Sequence, residues 1–167
     1  MHTVLVTCCN SSGKANIITL AWAMPTSIDP PLLAISVKPS RYSHKIIKET
    51  KEFAVNIPTM KIVKETLFCG RRSGRDCDKF KETRLTPTPA KIVKTPIIRE
   101  CVAHLECKLR RAFTTGDHTV FIREVVAAYT DEGIFSEEFD IGEARLVYHH
   151  GGNKFAALSD RVVEPAL

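Results

Sequence analysis

Apolar and polar positions alternate over short runs along most of this chain, and clusters of turn residues separate the runs. Residues 3–9 are rich in Val and Thr and are followed by Asn10, Ser11, Ser12 and Gly13, the pattern of a strand entering a hairpin turn. A second strand is expected over 16–22, followed by an irregular stretch over 23–29. Pro30 and Pro31 then open a third strand, 32–37, because proline has no N–H to give to a central ladder. Ser40 stands where it would cap a short helix over 41–50, with Ile46 and Ile47 facing the core. Residues 52–57 read as another strand, stopped by Pro58, and Met60, Val63 and Leu67 recur at helical spacing up to about Phe68.

Further along, 69–76 is a basic loop containing glycine, and Pro87, Pro89 and Pro96 make the chain up to Ile98 read as irregular surface. From 101 to 113, alternation places Cys101, Ala103, Leu105, Cys107, Leu109 and Phe113 on one side and His104, Glu106, Lys108 and Arg110 on the other. That is a half-buried antiparallel strand. Thr115, Gly116 and Asp117 supply a turn, and 119–129 returns as a strand that is apolar on both sides except around Arg123 and Glu124. Many hairpin-spaced strands with two or three short helices point to a mainly β, antiparallel barrel with short helical insertions. No internal repeat interrupts a single domain over 1–167.

Composition supports a folded chain. Apolar residues make up 44% and charged residues 26%, near the globular average, which argues against disorder. No apolar run approaches the roughly 20 residues a membrane helix needs, and the N-terminus lacks the basic and apolar regions of a signal peptide. The expectation is a soluble cytoplasmic protein whose six cysteines stay reduced. A net charge of +5 fits an anionic ligand or a solubilising surface equally well. Nucleic-acid binding is not expected, because only Phe68 and Phe80 lie near the basic loop.

Several residue groups carry candidate chemistry. Ser40, Arg41 and Ser43 fall at a proposed helix start, where free N–H groups favour an anion; a plain serine cap with a solvated Arg41 fits the residues as well. The loop Arg71, Arg72, Ser73, Gly74, Arg75, with Lys79, is the densest positive cluster, suited to a phosphate or to a solvated face. His118 follows a turn at the mouth of a hairpin. A metal site is not expected: Cys101 and Cys107 would lie about 20 Å apart along a strand, with His104 pointing the other way. Cys69 and Cys77 remain as a candidate redox pair, and His149 and His150 are expected to face solvent.

Three segments together resemble the flavin reductase-like (flavoredoxin) family, over most of the chain from Val4 to about Phe155. The first comprises Val4-Leu-Val-Thr7, Gly13, Asn16, Thr19-Leu-Ala-Trp22, Pro30-Pro31, Ser40-Arg41-Tyr42-Ser43 and Phe53-Ala-Val-Asn56-Ile-Pro58. The second is Ser73-Gly-Arg-Asp-Cys-Asp-Lys79-Phe80, and the third is Gly116-Asp-His118-Thr-Val-Phe-Ile122 with Glu124-Val125. The resemblance implies a split β-barrel working as a homodimer, with FMN in a groove near the subunit boundary. It implies phosphate contacts from Ser40, Arg41 and Ser43, and contacts to the cofactor from Ser73, Gly74 and Lys79. Asn16, Thr19, Ala21, Trp22, Ala23, Met24, Thr26 and Ser27 would lie along the flavin, and His118 would orient an electron donor.

The activity implied is that of an FMN-dependent oxidoreductase drawing on NAD(P)H and reducing flavin, ferric iron or a partner protein. The alternative is a flavoredoxin-type carrier that holds FMN without nicotinamide activity. A G-x-G-x-x-G loop is absent, but the family does not use one. Two departures stand out: Arg123 occupies a hairpin position where many relatives have a small residue, and Trp22 favours the flavoredoxin-like branch.

Overall fold

The computed structural model describes residues 1–165. Its strands are β1 (Val4–Cys9), β2 (Ala15–Leu20), β3 (Ala23–Ser27) and β4 (Leu32–Val37), followed by helix α1 (Tyr42–Thr50) and β5 (Glu52–Ile57). A single 3-10 turn leads into α2 (Val63–Arg71) and then α3 (Lys79–Thr83). Two short strands, β6 (Pro87–Thr88) and β7 (Ile97–Ile98), precede the long hairpin β8 (Ala103–Thr115) and β9 (His118–Thr130). Helix α4 (Ile141–Ala144) and the hairpin β10 (Tyr148–Gly151) and β11 (Lys154–Ala156) complete the described chain.

Seven strands form one antiparallel sheet in the order β2-β1-β5-β8-β9-β4-β3. Strands β1 and β4 are separated by three others, yet Val4, Val6 and Cys8 share one buried cluster with Leu33, Ile35 and Val37. The sheet must therefore curl so that its two halves face each other, and α1 plugs the space with Ile46 and Ile47. This is an open barrel. Leu5 and Thr7, on the other face of β1, are buried as well, and Leu5 packs with Ile17, Cys69, Phe80, Leu85, Ile98 and Cys101 in a second cluster outside the barrel. Burial on both faces accounts for the nearly continuous apolar run of β1.

Several sequence expectations change. Residues 23–27 are an edge strand rather than an irregular stretch; β3 pairs with β4 through Ala23↔Ile35 and Met24↔Ala34, and the ladder shifts after Pro25, which an edge tolerates. Ser40 does not cap α1: the helix begins after Arg41, and no side chain caps it. Helix α2 runs past Phe68 to Arg71. The chain up to Ile98 is not loose surface, because Leu85, Val93, Thr95, Ile97 and Ile98 are all buried.

That burial also changes β8. Its expected polar face carries His104 and Glu106, and both are buried beneath the 86–98 segment. Glu106 accepts the backbone N–H groups of Lys91, Ile92 and Val93 at 2.7, 2.7 and 2.9 Å, and the Tyr129 hydroxyl at 3.0 Å. Asn56 Oδ1 receives Ile98 N–H and sits 2.9 Å from His104 Nδ1. Beyond the bulges at Glu106/Cys107 and Leu109/Arg111 the facing is reset, and Phe113 ends 47% exposed instead of in the core.

Arg123 is wholly buried inside the barrel. Its guanidinium lies over the rings of Phe53 and Phe121 and donates from Nη2 to Ile47 O at 3.1 Å, near the C-terminal end of α1. Burial lowers its pKa to about 10. The helix end, whose carbonyls carry partial negative charge, and the two ring faces offset part of the cost of burying this cation.

Candidate functional site

A cleft of about 590 Å³ opens where β2, the start of α1, the loop after α2 and the start of β9 meet. Its basic lining residues are Lys38, Arg41, Arg71, Arg72, Arg75 and Lys79, and among the described residues lining it none is acidic. The potential inside is therefore positive. The first turn of α1, which no side chain caps, borders the cleft at Arg41, Tyr42 and Ser43.

Asn16 organises the floor. On β2 its side chain faces inward, and Nδ2 donates to Ser43 Oγ at 2.7 Å in a buried bond. Gly74 lies against its other side, so closely that a Cβ built there would fall 2.0 Å from Asn16 Oδ1 and 2.9 Å from the Tyr42 ring. Only glycine lets the loop after α2 approach this near. Arg75, next along, donates to Ser40 O at 3.1 Å and stacks over Tyr42. Thr19 reaches the other way and donates to Thr66 O at 2.6 Å, which fixes α2 to β2.

Lys79 lines the cleft but is only 4% exposed. Its Nζ donates to Ile17 O at 2.7 Å and Cys69 O at 2.6 Å. Burial lowers its pKa, while the neighbouring thiols of Cys69, Cys77 and Cys8 act in the opposite direction. Two of its three N–H groups are thus committed to tying β2 to α2. Burial also pushes the Cys8 and Cys69 thiols up to about 12, so neither is an available thiolate at neutral pH. Cys69 and Cys77 are free thiols.

At the opposite end His118 Nδ1 donates to Asp117 Oδ1 at 2.6 Å, and Asp117 also accepts from Lys38 Nζ at 3.0 Å. Those two donors, His118 first, hold the Asp117 carboxyl below its ordinary value. The bond fixes the imidazole and leaves Nε2 as the ring nitrogen free to meet a ligand. Trp22, 53% exposed, lies 4.8 Å from the His118 ring between centroids. The pair forms an aromatic edge at the cleft mouth.

Of the residues singled out from sequence, Asn16, Thr19, Ala21, Trp22, Ser40, Arg41, Ser43, Ser73, Gly74, Lys79 and His118 all line this cleft. Ala23, Met24, Thr26 and Ser27 do not: they belong to edge strand β3, where Met24, Thr26 and the adjoining Ile28 are exposed. Sequence reasoning missed Lys38, Met1 and His149 as lining residues, and gave Asp117 only a turn role. Lys38 lies close before the Ser40-Arg41-Tyr42-Ser43 motif, and Asp117 stands inside the Gly116-Asp-His118 motif. Met1 and His149 carry no local signal, because backbone bonds between the chain's first residue and the β10 strand bring them to the cleft wall. His149 is accordingly half-buried rather than solvent-facing. No group of side chains suited to a metal ion occurs among the described residues, and none of their helices is long and apolar enough to cross a membrane.

The model of the flavin reductase like domain matches residues 1–157 of this chain. An uncharacterized protein of Archaeoglobus fulgidus is 35% identical over 152 residues, covering 91% of this chain and 86% of that one. A flavin reductase (NADH) of Kitasatospora aureofaciens is 32% identical over 124 residues, covering 74% of this chain and 62% of that one. Among solved structures, flavoredoxin of Desulfovibrio vulgaris (Miyazaki F) superposes with a TM-score of 0.89 at 27% identity, over 98% of this chain and 89% of that one.

Proposed function

The chain belongs to the flavin reductase-like family, with its split β-barrel fold, and from that premise we propose that it is an FMN-binding oxidoreductase reduced by NAD(P)H. The observation that carries this reading is the cleft itself: basic along its lining, free of acidic side chains, and open to the uncapped start of α1. A phosphate is the ligand group such a wall suits. The volume of about 590 Å³ lies within the range of small-molecule cofactor sites.

Each part of the wall has a task on this reading. Arg41, Arg72 and Arg75, with the α1 N–H groups, hold the phosphate. Asn16 and Ser43 keep that end in register with β2. Trp22 and His118 form the edge against which a planar nicotinamide stacks, and Asp117 fixes the imidazole that meets it. Bound there, FMN supplies two-electron acceptance from a hydride donor and onward transfer to flavin or ferric iron. The residues bind, orient and shield; none is placed as a covalent nucleophile.

A second reading, a flavoredoxin-type carrier without nicotinamide activity, is supported by the likeness to flavoredoxin. Visible absorption of the purified protein tests FMN binding, and anaerobic addition of NADH or NADPH separates the two readings. Rapid bleaching is expected for the reductase. In flavin-saturated His118→Ala, reduction should slow by a factor on the order of 10 to 100, as for the loss of an orienting contact. An unchanged rate with a lowered melting temperature would remove His118 from the site, and bleaching only by a reduced protein donor would establish the carrier.

A further inference from the structure

A second cavity, of about 350 Å³, abuts the cleft. It lies between α2 and the β10–β11 hairpin and shares Thr19, Ala21, Gly70, Arg71 and His149 with the main cleft, so the two spaces meet along one wall. Leu67 gives the cavity an aliphatic surface and Phe155 an aromatic one, and the Phe155 ring packs against that of His149 with centroids 5.5 Å apart. The volume suits one ring with a short polar group.

The charge on this wall comes from Arg71. No acidic residue lines either space among those described, and no carboxylate pairs with this guanidinium. Arg71 donates from Nε to Asn153 Oδ1 and from Nη2 to Gly152 O, each at 2.8 Å, so two bonds to the hairpin tip hold its planar fork in one orientation. Nη1 is left without a partner. The polar groups beside it are engaged: Thr19 donates to Thr66 O, Thr66 donates to Ile62 O, and His149 Nε2 meets Gly152 O. The C-terminal end of α2 carries roughly half a negative charge, which the full positive charge of Arg71 outweighs, so an anion is favoured here. The phosphate-holding set Arg41, Arg72 and Arg75 leaves Arg71 without a task.

We propose that this cavity is a second ligand site, for a small aromatic monocarboxylate. The carboxylate accepts from the unspent Nη1 of Arg71, and the ring lies against Leu67 and Phe155. A second negative charge suits the site less, because it would have to be buried against those two apolar side chains. Such a molecule sits beside the main cleft without entering it, so both spaces can be filled at once. The site goes beyond the flavin reading and does not depend on it.

Benzoate is the probe, and benzamide, with the same ring and shape and no charge, is the control. Saturation-transfer NMR titrations on the full chain, with FMN at saturation, should show benzoate binding saturably, at least tenfold tighter than benzamide, and without displacement by FMN. Arg71→Met removes the cation and keeps an unbranched apolar stem, so it should bring benzoate down to the affinity of benzamide. Leu67→Trp, at a half-buried position that lines only this cavity, should abolish binding of both with FMN affinity retained; it also serves if Arg71→Met loosens the hairpin. Benzoate no tighter than benzamide, its displacement by FMN, or its survival in Leu67→Trp would overturn the proposal. If the protein takes up no FMN, the flavin reading fails, and the same titrations without FMN still decide the carboxylate site.

Discussion

Asn16 Nδ2 donates to Ser43 Oγ across 2.7 Å, joining the second strand of the sheet to the first turn of α1 at the floor of the cleft. The bond is buried, and Gly74 presses on the same amide from the loop after α2. Three segments of the cleft thus depend on one side chain.

Gly74→Ala should disturb all three. The new methyl would meet Asn16 Oδ1 and the Tyr42 ring at distances that force movement. A loss of about 1–3 kcal/mol is expected from such overpacking, together with at least tenfold weaker FMN binding. Thermal melts and flavin titration check both; a variant that binds FMN normally would show that the loop can shift without consequence.

Arg41→Ala and Lys79→Met should differ in kind. Arg41 lies at the open start of α1, so its loss should weaken FMN far more than riboflavin, which lacks the phosphate. Lys79 spends two N–H groups on Ile17 O and Cys69 O, so its loss should weaken both ligands to a similar degree by loosening β2 against α2. Parallel titrations with the two flavins decide. A selective loss of FMN in Lys79→Met would place the ammonium on the phosphate instead.

Acid should unfasten the 86–98 segment. Burial alone would raise the Glu106 carboxyl, but the N–H groups of Val93, Lys91 and Ile92 and the Tyr129 hydroxyl outweigh it and hold the group below its ordinary value. The folded state then binds this proton less readily than the unfolded chain. The stabilisation is therefore present above the ordinary carboxylate pKa and is lost as pH falls through the folded value. His104, lowered by burial, adds a loss that starts as pH drops below about 6.5. Melting temperature should fall on acidification, and Glu106→Gln should lower it at pH 7 while flattening the fall below about pH 5. Parallel curves for the two proteins would clear Glu106.

Self-association should involve the outer face of the long hairpin. Along β9, Thr119, Phe121 and Arg123 are buried, while Val120 and Ile122, on the opposite face, are only partly so. Light scattering is expected to give twice the 18.6 kDa chain mass, and Val120→Lys with Ile122→Lys should return the monomer. A wild-type protein that is monomeric at micromolar concentration and still binds FMN would show that the pairing is not needed.

The sequence by itself determined the parts whose signal is local. Alternation and turn residues marked β1, β4, β5 and the β8–β9 hairpin, and helical spacing marked α1 and α2. The order of short motifs around Asn16, Ser43, Gly74 and His118 named a set of residues that the fold gathers around one cleft. Tertiary structure alone decided the rest, for reasons of distance along the chain. Strand β3 exists because β4 offers it a ladder, which its own run of Ala23, Met24 and Pro25 does not announce. His104 and Glu106 look like a solvent face until the 86–98 segment lies over them and brings the backbone N–H groups that satisfy Glu106. Lys79 reads as a surface cation in a basic loop, but carbonyls 62 and 10 residues away hold it inside. Periodicity reports how a side chain points from its own strand or helix; what covers it comes from elsewhere in the chain.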